Sequence, residues 1–320
     1  MTRARLVRLL LEVSPMEIRS YVVGVDGSVP ARAAIRWAVA GARERGVGVT
    51  LVHVADDEWG AVGSVLIDEV DEDAQARLAD EVAYARSLGD EVAIHGELRR
   101  GSPMAELASF SDETTMVVVG THKTGFHYGR AFGSRSLQLA NLAVGPVAII
   151  PEAASRMRRG VIVGVDDTPA GAAAVDLAAD LACEHHCELM TVRSSQSHPP
   201  LDVDSDDERR DWQLRRDDEA RGSLATAVAR ARARQPGIVI RSRVVRRPAG
   251  AALNELARSA ELLVIGDSRR ARAQLGSLGA VAYDVLLNLS SPTIVVHAPV
   301  VQPESGIDRT TTEGESHVIG

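Results

Sequence analysis

Met116-Val117-Val118-Val119-Gly120, followed by Thr121-His122-Lys123-Thr124-Gly125, then Gly133-Ser134-Arg135, and finally Gly145-Pro146-Val147-Ala148-Ile149-Ile150-Pro151, is the stretch from which the fold is read. An apolar β-branched run predicts a buried strand. The glycine-punctuated segment after it predicts a loop, and the run from Gly133-Ser134 to Leu142 a helix leading into a second buried strand. Glycine lets backbone N–H groups approach an anion closely, and a helix N-terminus adds free donors and the positive end of its dipole. The pattern therefore marks a phosphate-type loop, although glycines that merely end a strand and start a helix would give it too. Lys123, the one lysine of the chain, lies inside this loop. The spacing fits neither GxxxxGK[ST] nor GxGxxG, because Gly125 is followed by Phe126 and the first strand continues as Gly24-Val25-Asp26-Gly27-Ser28.

The chain then repeats itself. Val161-Ile162-Val163-Gly164-Val165-Asp166 restates Val22-Val23-Gly24-Val25-Asp26, and Leu262-Leu263-Val264-Ile265-Gly266 restates Met116 to Gly120. Gly120, Gly133 and Pro146 keep the register of Gly266, Gly279 and Pro292. Two copies of one domain follow, at residues 20–152 and 159–299, with about six extra residues in the second. The stretch from Ser194 to Asp218, with Ser195, Gln196, Pro199, Pro200 and an acidic run, is read as the longer loop that holds them.

Within each copy strands alternate with helices. In the first, strands at Tyr21–Val25, Val49–Val54, Glu91–Leu98, Met116–Val119 and Val147–Ile150 are separated by helices at Pro30–Arg45, Asp68–Leu88, Ser102–Ser109 and Gly133–Leu142. Parallel neighbours need a crossover and a helix is the usual one, so each copy is an α/β domain with an open five-stranded parallel sheet, Rossmann-like in layout. Ligands of such sheets sit past the carboxyl ends of the strands at the topological switch point, which brings Asp26 and Gly120 together.

Composition bounds the function classes. The chain has 320 residues, 45% apolar content and a formal net charge of −8, enough for two ordinary cores and adverse to a nucleic-acid footprint. Two cysteines point to a reducing compartment, hence the cytoplasm, without a disulfide framework. No apolar run reaches the roughly 18 residues of a membrane span. Residues 1–19 read as an extension outside the fold, with Met16 as a more natural start, and residues 302–320 as a disordered tail.

These residues resemble the universal stress protein family in two tandem copies, over nearly all of residues 20–299. The family's nucleotide motif is Gly, two residues, Gly, nine residues, then Gly and Ser or Thr, together with an Asp closing the first strand. Gly120, Gly133 and Ser134 match in length, while Lys123 replaces the second glycine. The resemblance implies ATP or another adenine nucleotide, with Mg, as the ligand. Asp26 would lie beside the adenosine, the Val54 backbone against the adenine, Gly120 near the ribose, and Lys123, Gly133, Ser134 and Arg135 around the phosphates; Gly24 and Val119 complete the set. The second copy keeps Asp166, Val192, Gly266 and Gly279 but has Ala280 where a hydroxyl is wanted, so the first is expected to hold nucleotide more tightly. The family's pairing edge further implies domain–domain packing through Val147–Ile150 and Thr293–His297, and a homodimer.

Other residues carry weaker signals. Cys183, His186 and Cys187 at helical spacing suggest either a soft-metal site or, as the expected outcome, a buried thiol pair on a packing face. His122, His127 and Arg130 could neutralise phosphate or be plain loop residues, and Asp202 to Asp207 read as solvated loop. An ATP-binding regulatory protein is the leading function. A weak ATP-hydrolysing enzyme and a scaffold with empty pockets are the alternatives, and no catalytic residue or metal ligand is assigned.

Overall fold

The computed structural model describes residues 16–56, 64–121, 125–127, 130–132, 134–152, 159–196, 205–267 and 278–297. The first copy runs β1 (Ser20–Gly24), α1 (Val29–Arg45), β2 (Gly48–Ala55), α2 (Ser64–Arg86), β3 (Ile94–Arg100), α3 (Pro103–Ser109) and β4 (Thr115–Thr121). A short hairpin, β5 (Gly125–His127) and β6 (Arg130–Phe132), precedes α4 (Ser134–Leu142) and β7 (Val147–Pro151). The second runs β8 (Val161–Gly164), α5 (Pro169–Glu184), β9 (Leu189–Ser194), α6 (Asp206–Arg234), β10 (Ile240–Val245), α7 (Ala249–Ala257), β11 (Leu262–Asp267), α8 (Ala280–Leu287) and β12 (Thr293–His297).

The local chemistry explains the boundaries. Tyr21, Val22 and Val23 are all buried, as expected of a strand covered on both faces. Ser28 caps α1 by accepting from the Ala31 amide, with a proline in the first turn, and Gly46 ends the helix at φ 66°. In the second copy Thr168 caps α5 through the Gly171 amide.

All ten long strands form one sheet, ordered β10-β9-β8-β11-β12-β7-β4-β1-β2-β3. Each copy supplies a parallel half, and in each half the order reverses beside the first strand, between β1 and β4 or between β8 and β11. The halves meet where β7 and β12 pair antiparallel, with Val147 opposite Val295 and Ile149 opposite Thr293. This is the expected domain–domain pairing. It removes two apolar edges that would otherwise template aggregation. Helices cover both faces, and each of the two apolar layers runs through both copies: α1, α2, α5 and α6 on one side, α3, α4, α7 and α8 on the other. Arg45 on α1 donates to Glu184 at the end of α5 at 3.0 Å, a second tie between the copies.

Several expectations change. The extra length of the second copy lies in a helix rather than a loop, since α6 has 29 residues against 23 in α2. Its acidic start is what makes it helical: Ser205 and Glu208 form a capping box, and Asp206 and Asp207 lie at the positive end of the dipole. Cys183 is exposed and Cys187 half-buried rather than a buried pair, and α5 ends at Glu184 with His186 at φ 49°, so helical spacing does not carry through to Cys187. The packed region reaches back into residues assigned to the N-terminal extension: Ile18 is buried and the Arg19 amide donates to the Thr114 carbonyl at 2.8 Å. Residues 302–320 lie outside the described residues.

Candidate functional site

The site of the first copy is fixed by backbone packing. The β1 and β4 ends lie side by side, Gly24 opposite Val119, at the point of reversal. A Cβ on Gly120 would stand 2.1 Å from the Pro30 carbonyl oxygen, so this glycine is needed for the first turn of α1 to close over the end of β4. That is a packing reason for Gly120, and it brings the N-terminus of α1 to the strand ends.

A cavity of about 180 Å³ opens there, lined by Gly24, Asp26, Val54, Val119, Gly120 and Arg135. These six are expected site residues from four separate elements. Lys123 and Gly133 lie outside the described residues, as does His122; Ser134 opens α4. Ser28, Asp56, Met104 and Leu107 also line the cavity and carry no sequence motif. Asp26 is exposed; its Oδ1 accepts from the Ser28 amide at 3.0 Å, which aims the carboxylate at the mouth. His53 donates from Nδ1 to the Val25 carbonyl at 2.7 Å and so stiffens the strand end that carries Asp26. Apolar walls from Val52, Met104 and Leu107, a carboxylate and a guanidinium suit a ligand with a flat apolar part and an anionic part.

The second copy has a matching cavity of about 250 Å³, lined by Asp166, Val192, Arg193, Gly266 and Val281 among others. Gly266 repeats the role of Gly120, since a Cβ there would lie 2.6 Å from the Gly171 amide nitrogen. The polar groups differ. Asp166 is folded under α5, where its Oδ1 accepts from the Thr168 hydroxyl at 2.5 Å and the Thr168 amide at 3.2 Å. Burial holds its carboxyl above the ordinary value, while the Thr168 bonds and Arg193 oppose that rise. Arg193 donates to the Val165 carbonyl and to Asp167, both at 2.9 Å. Gly279 donates to Asp267 at 2.8 Å.

Among the described residues no group of three or more His, Cys, Asp or Glu could hold a metal, and no helix is long and apolar enough to cross a membrane.

Fold and site together define a tandem doubly wound α/β protein with a ligand-sized cleft at each switch point. The model of the universal stress protein family matches residues 17–151 and again 157–297, and the chain belongs to that family. It is similar to Universal stress protein Rv1996 of Mycobacterium tuberculosis (strain ATCC 25618 / H37Rv), 31% identical over 304 residues, covering 87% of this chain and 95% of the relative. A universal stress protein of Mycolicibacterium smegmatis is 29% identical over 287 residues, covering 86% and 96%. The crystal structure of a universal stress protein from Archaeoglobus fulgidus DSM 4304 superposes with a TM-score of 0.64 at 16% identity, covering 87% of this chain and 98% of its own, a likeness of fold.

Proposed function

We propose that the first copy binds an adenine nucleotide, ATP with Mg²⁺, and that occupancy regulates the protein's conformation or partners in a stress response. The observation that carries this reading is the convergence of Asp26, Val54, Gly120 and Arg135 on one cavity at the carboxyl ends of the strands. Asp26 would accept from ribose hydroxyls, the Val54 backbone would meet the base edge, and Arg135 at the start of α4 would meet phosphate, where the helix dipole favours negative charge. Mg²⁺ commonly arrives with the phosphates and needs only one or two protein carboxylates, which Asp26 and Asp56 at the cavity can supply. Lys123, standing where the family motif has its second glycine, would add a point charge, and a homodimer accords with the family's pairing habit.

Titration calorimetry of the full chain tests the reading. ATP with Mg²⁺ is expected to bind the parent, and Lys123→Ala and Arg135→Ala to weaken ATP by about 1–3 kcal/mol each while leaving adenosine nearly unchanged. Absence of ATP binding in the parent overturns the reading. An equal loss of ATP and adenosine would remove these two residues from the phosphate subsite.

A further inference from the structure

In the second copy, the ends of β11 and β12 carry Asp267 and His297, opposite each other in the ladder. The same ladder position in the first copy holds Thr121 opposite Pro151. Asp267 is only 3% exposed. Its Oδ1 accepts from the Gly279 amide, the residue preceding α8, at 2.8 Å, and its Oδ2 lies 3.7 Å from Nδ1 of the fully buried His297. A helix N-terminus takes an anion, and here the anion is the chain's own carboxylate. Two residues after Gly279, Val281 lines the second cavity where Arg135 lines the first. Among the described residues, the elements beside the second cavity therefore carry a buried aspartate, next to His297, where the first copy has Thr121, and Val281 where the first copy has Arg135.

We infer that Asp267 is the specificity-determining residue of the second cavity: it occupies the amide a phosphate would use and leaves a site for an uncharged, nucleoside-type ligand. This rests on the adenine-nucleotide reading of the first copy and adds a reason why the two sites differ in ligand class. The ligand's flat part would meet the Val192, Leu253 and Ile265 walls of the cavity. A phosphate would need to displace Asp267 from Gly279 and then stand beside a buried carboxylate, a repulsion of like charges in a poorly solvated place. Rejecting one ligand by a built-in unfavourable contact is how sites of similar shape come to differ in specificity.

Equilibrium dialysis of the full chain against ATP with Mg²⁺ and against adenosine tests this, with photolabelling by 8-azido-ATP and peptide mapping to assign each copy. The parent is expected to take up one more equivalent of adenosine than of ATP, with label confined to the first copy. Asp267→Thr, which copies the first site, should bring label into the second copy and tighten ATP there at least tenfold, with adenosine unchanged within twofold. Asp267→Asn keeps an oxygen for the Gly279 amide and removes only the charge. It should tighten ATP at least fivefold, and it decides the matter if the Thr variant fails to fold. No gain of ATP in either folded variant overturns the inference, as does an equal gain for ATP and adenosine, or a parent that takes up no extra adenosine. Failure of the first-copy reading would show separately, as a parent with no label in the first copy, while the change from parent to variant is still read in the second.

Discussion

The two cavities occupy the same place in the same topology, yet one turns its polar groups outward and the other ties them inward. The difference begins at one methyl group. Ala31 stands in the first turn of α1 where α5 has Gly171, and a Cβ on Gly171 would lie 1.9 Å from Asp166 Oδ1. Asp166 lies in the space that methyl would fill and bonds the Thr168 hydroxyl, whereas Asp26 is exposed at the cavity and accepts from the Ser28 amide. A repeated aspartate at the end of a repeated strand thus stands exposed at the cavity in one copy and is tucked beside the helix N-terminus in the other.

The largest effect that separates the copies should come from the glycines under the first helices. Gly120→Ala forces a methyl onto the Pro30 backbone, and fixed backbone cannot rotate away, so a loss of about 3 kcal/mol is expected in urea unfolding, together with loss of ATP binding. Gly266→Ala meets its nearest backbone atoms at 2.6 Å rather than 2.1 Å and should cost about half as much. Equal losses would mean that the two helix–strand contacts are not distinguished by this spacing.

Exchanging the methyl group comes next. Ala31→Gly should let Asp26 fold inward and weaken ATP by about tenfold, the worth of one or two hydrogen bonds, in calorimetry. Gly171→Ala should expel Asp166 and bring its carboxyl down toward the ordinary value in a carbon-13 NMR titration. The sign for stability follows from linkage. A carboxyl held high in the folded state binds more protons there than in the unfolded chain, so its penalty appears as pH rises above the unfolded value of about 3.9. Gly171→Ala removes that penalty and should gain stability at pH 7 relative to pH 3. An unmoved Asp166 titration would break the comparison at its origin.

The smallest effect concerns the seam between the copies. His185 donates from Nδ1 to the Glu261 carboxylate at 2.8 Å, and its Nε2 lies 3.9 Å from Glu44 of the first copy. The hydrogen bond to Glu261 is the main cause that raises its titration, opposed by burial and aided by the charges of Glu261, Glu44 and Glu184. The stabilisation is present below the unfolded value of about 6.5 and is lost as pH rises through the raised folded one. Glu261→Gln should lower the His185 midpoint in proton NMR and shrink the stability difference between pH 6 and pH 8. No movement of that midpoint would show that Glu261 does not govern it.

Much of this was legible in the chain because it is written in short-range chemistry. The β-branched runs at Val22–Val25 and Val161–Val165 and the thirteen-residue spacing of Gly120 and Gly133 are local features. Asp267 was equally within reach of the repeat, since it stands one residue after Gly266 as Thr121 stands after Gly120, but a single aspartate gives no signal until the Gly279 amide is seen beside it. The acidic stretch of the second copy that reads as loop is, from Asp206 on, part of the 29-residue helix α6. An acidic run reads as solvated loop unless its role at a helix N-terminus is recognised through Ser205 and Glu208.

By itself the sequence determined two α/β copies, their parallel halves and the strand ends at which a ligand could sit, because hydrophobic period, caps and glycine spacing act within a few residues. Only the tertiary structure decided that the expected pairing of β7 with β12 is antiparallel and makes one continuous ten-stranded sheet, that Asp26 is exposed while Asp166 is tucked under its helix, and that Asp267 bonds the Gly279 amide before the last helix. The seam depends on strands far apart in the chain, and the two aspartates on how closely a helix start packs on a strand end a few to a dozen residues away; each is a matter of distance in space that the hydrophobic pattern of a single strand or helix does not encode.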